Sequence, residues 1–101
     1  MGDEEYLQLL SEAVHKGLRD FQPQLVMYVA GADPYKEDQL GGLSMSIEGL
    51  KTRDRMVFEL ARENRAAVAV TLAGGYAAKV EDTVTIHANT AKAAAECIMQ
   101  E

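Results

Sequence analysis

The chain has no tryptophan, one cysteine and two prolines among 101 residues. A single cysteine, Cys97, excludes an internal disulfide and fits a reducing, cytoplasmic setting. It falls within a helical pattern as a small apolar side chain. Basic residues are the minority, 10 Lys and Arg against 16 Asp and Glu, and they form no stripe. At a net charge of −6 nucleic-acid binding is disfavoured. No apolar run approaches the roughly 20 residues of a membrane span, so no membrane partner is expected. The start, MGDEEYLQLL, is acidic where a secretory leader would be basic, so no leader is expected. There is no Walker loop and no GxGxxG fingerprint. His15 and His87 are the two histidines; neither is spaced against a second ligand, and each reads as structural or solvated.

What is present suits one small domain, since 48% of the residues are hydrophobic. Leu7, Leu10, Val14, Leu18 and Phe21 recur at helical spacing and predict a first helix over about 4–20, with Asp3 as its N-cap. Pro23 stops it. LVMYVAG then reads as a fully buried strand over about 24–31, apolar on both faces. Asp33-Pro34 ends the strand and opens a long connection without period through residue 45. Ser46 caps a second helix over about 47–64, with Leu50, Val57, Leu60 and Ala61 inward, Gly49 weakening its start and Asn64 as C-cap. AAVAVTLA over 66–73 is a second buried strand, ended by Gly74-Gly75-Tyr76. Asp82 caps a last helix over about 82–99, with Ile86, Thr90, Ala93 and Cys97 along one face.

The order is α-β-α-β-α. Strands joined through a helix should be parallel, so both carboxyl ends open on one edge of the sheet, where α/β folds keep their chemistry. That topology predicts Asp33 and Tyr76 on the same edge. By itself Asp33 reads first as the start of an Asp-Pro turn and only second as a ligand, and Gly74-Gly75 as a tight turn or a place where a ligand nears the backbone. Tyr76 is either a rim aromatic or a hydroxyl donor. Lys36, Glu37, Asp38 and Lys79 read as solvated charges, and Arg53-Asp54 as a surface pair.

Together these residues resemble the histone deacetylase family, with its acetylpolyamine amidohydrolase and bacterial deacetylase-like relatives. Asp3-Glu4-Glu5-Tyr6 resembles the acidic-Tyr helix start. Ala30-Gly31-Ala32-Asp33 followed by Asp38, Leu40 and Gly41 follows the pattern G-A-D, four residues, D-x-L-G. Leu43-Ser44, Ser46, Gly49, Arg53-Asp54 and Val57-Phe58 are nearest the class IV-like branch. Gly74-Gly75-Tyr76 matches the catalytic tyrosine motif. The resemblance implies an α/β chain of order α-β-α-β-α, a fragment of a three-layer arginase/deacetylase fold with parallel strands. Residues 1–101 would be the C-terminal portion of that domain.

In that family a zinc held by two Asp and one His activates water for hydrolysis of an amide, and a tyrosine hydroxyl bonds the oxyanion. The resemblance implies Asp33 as a zinc aspartate, Tyr76 as the oxyanion donor, and Gly74 and Gly75 as the wall of the acyl channel. Asp38 takes no catalytic role. The substrate implied is an N-acyl-lysine or acyl-polyamine amide. The family's His-His pair and Asp-x-His motif are absent from this sequence. The chain is therefore expected to be a piece of the domain, inactive and without zinc when isolated. The alternative reading is a non-catalytic module acting through self-association or partner binding. Neither strand carries charge to protect an open edge, so a homodimer is expected.

Overall fold

The computed structural model describes residues 2–32, 34–37, 45–75, 77 and 79–99. Five elements follow in order: α1 (Asp3–Phe21), β1 (Leu25–Gly31), α2 (Ile47–Glu63), β2 (Ala67–Ala73) and α3 (Val80–Met99). The strands pair in parallel, in register from Leu25 opposite Ala67 to Gly31 opposite Ala73. They stop together, so their carboxyl ends share one edge, as the βαβ order requires.

Helix α1 turns Leu7, Leu10, Val14 and Leu18 toward the body of the molecule, and of these Leu18 is fully buried. Two expectations for this helix are corrected. Phe21 is 81% exposed, because the helix ends there: Gln22 takes a left-handed conformation (φ 50°) and its N–H donates to Leu18 O. Asp3 is not the cap, which falls on Gly2 without a side-chain bond. The Asp3 carboxylate instead reaches the start of α2, accepting from the Ser46 N–H (2.8 Å) and from the Ser46 hydroxyl. Ser46 caps α2 as expected, its Oγ accepting from the Gly49 N–H at 2.9 Å. Gly49 is thereby explained. A Cβ there would fall 2.7 Å from Asp3 Oδ2, so the glycine that weakens the helix start makes room for the carboxylate joining α1 to α2. Asn64 closes α2, its N–H donating to Leu60 O and Ala61 O.

The strands are not buried on both faces, as their apolar runs predict. Leu25, Met27 and Val29 are 54%, 65% and 65% exposed, while Tyr28 and Ala30, pointing the other way, turn toward the helices. Tyr28 meets Phe58 of α2 edge-on, with ring centroids 5.7 Å apart. The helices pack on one face of the sheet over Tyr28 and Ala30, though Val70 and Leu72 beside them on β2 stay partly exposed, and α2 packs on both α1 and α3. Among the described residues nothing covers the other face at Leu25, Met27 and Val29. Period-2 geometry makes an apolar strand two-faced whether or not both faces are covered.

A core of Ala32, Tyr35, Met45, Leu50 and Ile86, flanked by Tyr6, Leu7, Ile47 and Ala77, lies under the strand exits. Tyr35 and Met45 form a parallel bridge that joins the ends of the long connection. Helix α3 starts at Val80, so Asp82 is not its cap but sits in the first turn. There Asp82 accepts from the Tyr35 hydroxyl at 2.8 Å, with Glu37 2.9 Å from the same oxygen. Ile86, Thr90 and Ala93 are buried on the expected face, and Cys97 is half-buried. Among the described residues no helix is long and apolar enough to cross a membrane.

Candidate functional site

The carboxyl edge of the sheet is built from two exits. At the first, the Ala32 N–H donates to Ala73 O (3.2 Å), the Tyr35 N–H to Ala32 O (3.1 Å), and the Met45 N–H to Pro34 O (2.9 Å). At the second, Gly74 and Gly75 have φ of 67° and 117°, the region open to glycine and costly for other residues. A Cβ on Gly75 would meet Thr83 Cγ2 at 2.5 Å and Ala32 Cβ at 3.3 Å. Gly75 is thus wedged between α3 and the exit of β1, and only glycine lets the two exits close to this distance.

Of the residues singled out in the sequence, Asp33, Asp38 and Tyr76 lie outside the described residues. Their neighbours Ala32 and Gly75 are brought together. Gly74 and Gly75 both take positive φ. Lys36, Glu37 and Lys79 are exposed as expected. His15 is exposed on α1 and bonds the Ser11 carbonyl through Nδ1 at 2.8 Å. His87 lies on α3 beneath the glycine turn, its Nε2 3.1 Å from Gly74 O, while its buried Nδ1 has no hydrogen-bond partner. Among the described residues no three of His, Cys, Asp and Glu converge on a point that could hold a metal. The described residues alone make no zinc site; the candidate ligand Asp33 lies outside them.

Arg53 and Asp54 correct the reading of a surface pair. Their exposures are 3% and 0%. Asp54 Oδ1 accepts from Arg53 Nε (3.0 Å), Arg53 Nη2 (2.9 Å) and the Tyr28 hydroxyl (2.5 Å). Its Oδ2 accepts from the Thr90 hydroxyl. Arg53 Nη1 donates to Gly31 O at 2.6 Å, and its guanidinium lies 5.8 Å from the Tyr28 ring centre. One carboxylate thus ties α2, β1 and α3 together behind the exit of β1. Burial pushes the Tyr28 hydroxyl far above its usual value against the opposing pull of Arg53, and the hydrogen bond to Asp54 adds to the rise. Burial works against the charge on Arg53, but the attraction of the Asp54 carboxylate and the hydrogen bonds to it oppose that, and the guanidinium stays charged.

The signal for this network was in the helix period. Leu50, Arg53, Asp54, Val57, Phe58 and Ala61 share one α2 stripe at three- and four-residue spacing, and all six are buried. The period places Arg53 and Asp54 inward, against the usual solvation of charged pairs.

A model of the histone deacetylase domain matches residues 1–91. Histone deacetylase 2 of Arabidopsis thaliana is 44% identical over 73 residues, which cover 72% of this chain and 19% of that protein. An uncharacterised protein of Picosynechococcus sp. is 36% identical over 94 residues, or 93% of this chain and 31% of that protein. The matched stretch thus spans about a fifth to a third of these relatives. With an α-β-α-β-α order, parallel strands and a domain match over most of its length, this chain belongs to the histone deacetylase family.

Proposed function

We propose that the chain is the C-terminal portion of a zinc-dependent deacetylase domain and supplies part of the site that hydrolyses an N-acyl-lysine or acyl-polyamine amide. In this reading Asp33 is one metal carboxylate, Tyr76 donates its hydroxyl to the oxyanion, and Gly74 and Gly75 form the channel wall. Zinc, when bound, supplies the Lewis acid that polarises the acyl carbonyl. The remaining metal ligands and the proton-transfer pair come from the rest of the domain. The isolated chain is inactive, because one carboxylate does not make a zinc site.

The observation that carries this reading is the contact of the two exits. Ala32 and Gly75 abut, and each immediately precedes a residue to which the family motif gives a role. The test is a chimera in which this chain replaces the matching stretch of the Arabidopsis relative. The folded chimera should deacetylate an acetyl-lysine peptide, and Tyr76→Phe should keep the metal and lose ~10²–10³ in turnover, the effect of removing one oxyanion donor. Equal turnover by the Tyr76→Phe chimera would overturn the assignment.

A second reading is favoured by the exposed sheet face, where Leu25, Met27 and Val29 are each more than half exposed. On its own the chain covers this face with a second copy, as a homodimer. Sedimentation across a concentration series checks it: a monomer at every concentration rules the dimer out.

A further inference from the structure

Arg53 does more than neutralise Asp54. The bonds Ala67 N–H to Gln24 O and Ala32 N–H to Ala73 O show that the even-numbered residues of β1 direct their backbone groups toward β2. The odd-numbered residues, Gly31 among them, therefore direct theirs to the outer edge of β1. Arg53 Nη1 takes up the Gly31 carbonyl there, at 2.6 Å. It occupies a hydrogen-bonding position that a further strand would otherwise use at the end of that edge.

The guanidinium is itself held. Two of its nitrogens bond Asp54, and Asp54 is fixed by hydroxyls from β1 and α3. A buried ion pair is a poor source of net stability, since apolar residues of similar volume serve as well or better. What apolar residues cannot do is hold a carbonyl in one direction.

We infer that Arg53 is a positioning residue: with Asp54 as its anchor it fixes the carbonyl at the end of β1, and with it the course of the chain toward Asp33. The inference rests on the reading of Asp33 as a metal carboxylate. It assigns to Arg53 no contact with substrate or metal.

The test compares the parent chain with Arg53→Lys and with the double variant Arg53→Met/Asp54→Leu, using amide hydrogen exchange by NMR beside urea unfolding. In the double variant the Thr90 hydroxyl can fall back on Ile86 O, 3.2 Å away, and half-buried Tyr28 can turn its hydroxyl to water. Global stability should therefore stay near that of the parent. The Ala32 and Tyr35 amides should nevertheless exchange about tenfold faster or more, the equivalent of one lost bond to a charged donor, while the Tyr28 amide in mid-strand keeps its protection. Arg53→Lys, which can still donate to the carbonyl, should restore most of the difference. A purely structural role would move all three amides together, and that result, or unchanged Ala32 and Tyr35 amides in a folded double variant, would overturn the inference. The reading of Asp33 fails separately: a chimera that keeps its zinc after Asp33→Ala would refute it while leaving the exchange pattern intact.

Discussion

Removing Asp54 should be among the most damaging single changes the chain can suffer. Its side chain is fully buried and accepts two N–H bonds from Arg53, one hydroxyl bond from Tyr28 and one from Thr90. Asp54→Ala leaves Arg53, 3% exposed, without its counter-charge, and leaves a space where the carboxylate stood. Breaking one side of a buried pair costs about 3–5 kcal/mol. A domain of this size holds only about 5–15 kcal/mol in all. With a urea slope of about 2 kcal/mol per molar, the unfolding midpoint should fall by about 2 M. Arg53→Met/Asp54→Leu removes both charges together and should recover to within about 1–2 kcal/mol of the parent. Adding Arg53→Met and Asp54→Leu as single variants completes a double-mutant cycle whose coupling isolates the uncompensated charge. An Asp54→Ala loss below about 1 kcal/mol would refute the reasoning, as would a double variant no more stable than that single one.

The same structure makes other outcomes specific. Tyr28 and Tyr35 both have hydroxyls raised above their ordinary value, in each case first by burial. The folded state therefore keeps protons that the unfolded chain releases, so the contribution of these two tyrosines to stability is level below about pH 10 and falls as pH rises beyond it; Tyr28→Phe should flatten part of that fall in urea melts taken at pH 8 and above. Asp3→Ala removes an acceptor for two Ser46 donors and should cost about 1–2 kcal/mol, whereas Gly49→Ala, which improves helix propensity, should still destabilise because its methyl meets that carboxylate. Gly75→Ala should lower the thermal midpoint, since it combines a φ of 117° with a clash against Thr83; an unchanged midpoint would show that the turn can relax.

Much of the fold was legible from pattern. The alternation of helix stripes with short apolar runs predicts all five elements, and Ser46 and Asn64 mark the ends of α2 as capping residues should. The parallel pairing follows from a helix lying between the strands. Misreadings came where a residue serves a neighbour distant in sequence. Asp3 has the composition of a cap for its own helix, yet it serves the start of α2, 43 residues on. Asp82 likewise serves Tyr35, 47 residues away. Arg53 and Asp54 look like surface charges until the α2 stripe is taken literally. The exposed sheet face could not be read from LVMYV, because an apolar strand has the same sequence whether one or both faces find a cover. At the candidate site, Gly74-Gly75 announced a positive-φ turn by its residue type, but the wedge of Gly75 between Ala32 and Thr83 is a tertiary fact that no local pattern carries.

The most direct measurement of the central claim is zinc stoichiometry, by metal analysis after dialysis, for three folded samples: the chain alone, the chimera with the Arabidopsis relative, and that chimera with Asp33→Ala. The account predicts no bound zinc for the chain alone, about one ion per chimera, and loss of that ion with Asp33→Ala. Zinc retained in full by the Asp33→Ala chimera would contradict it.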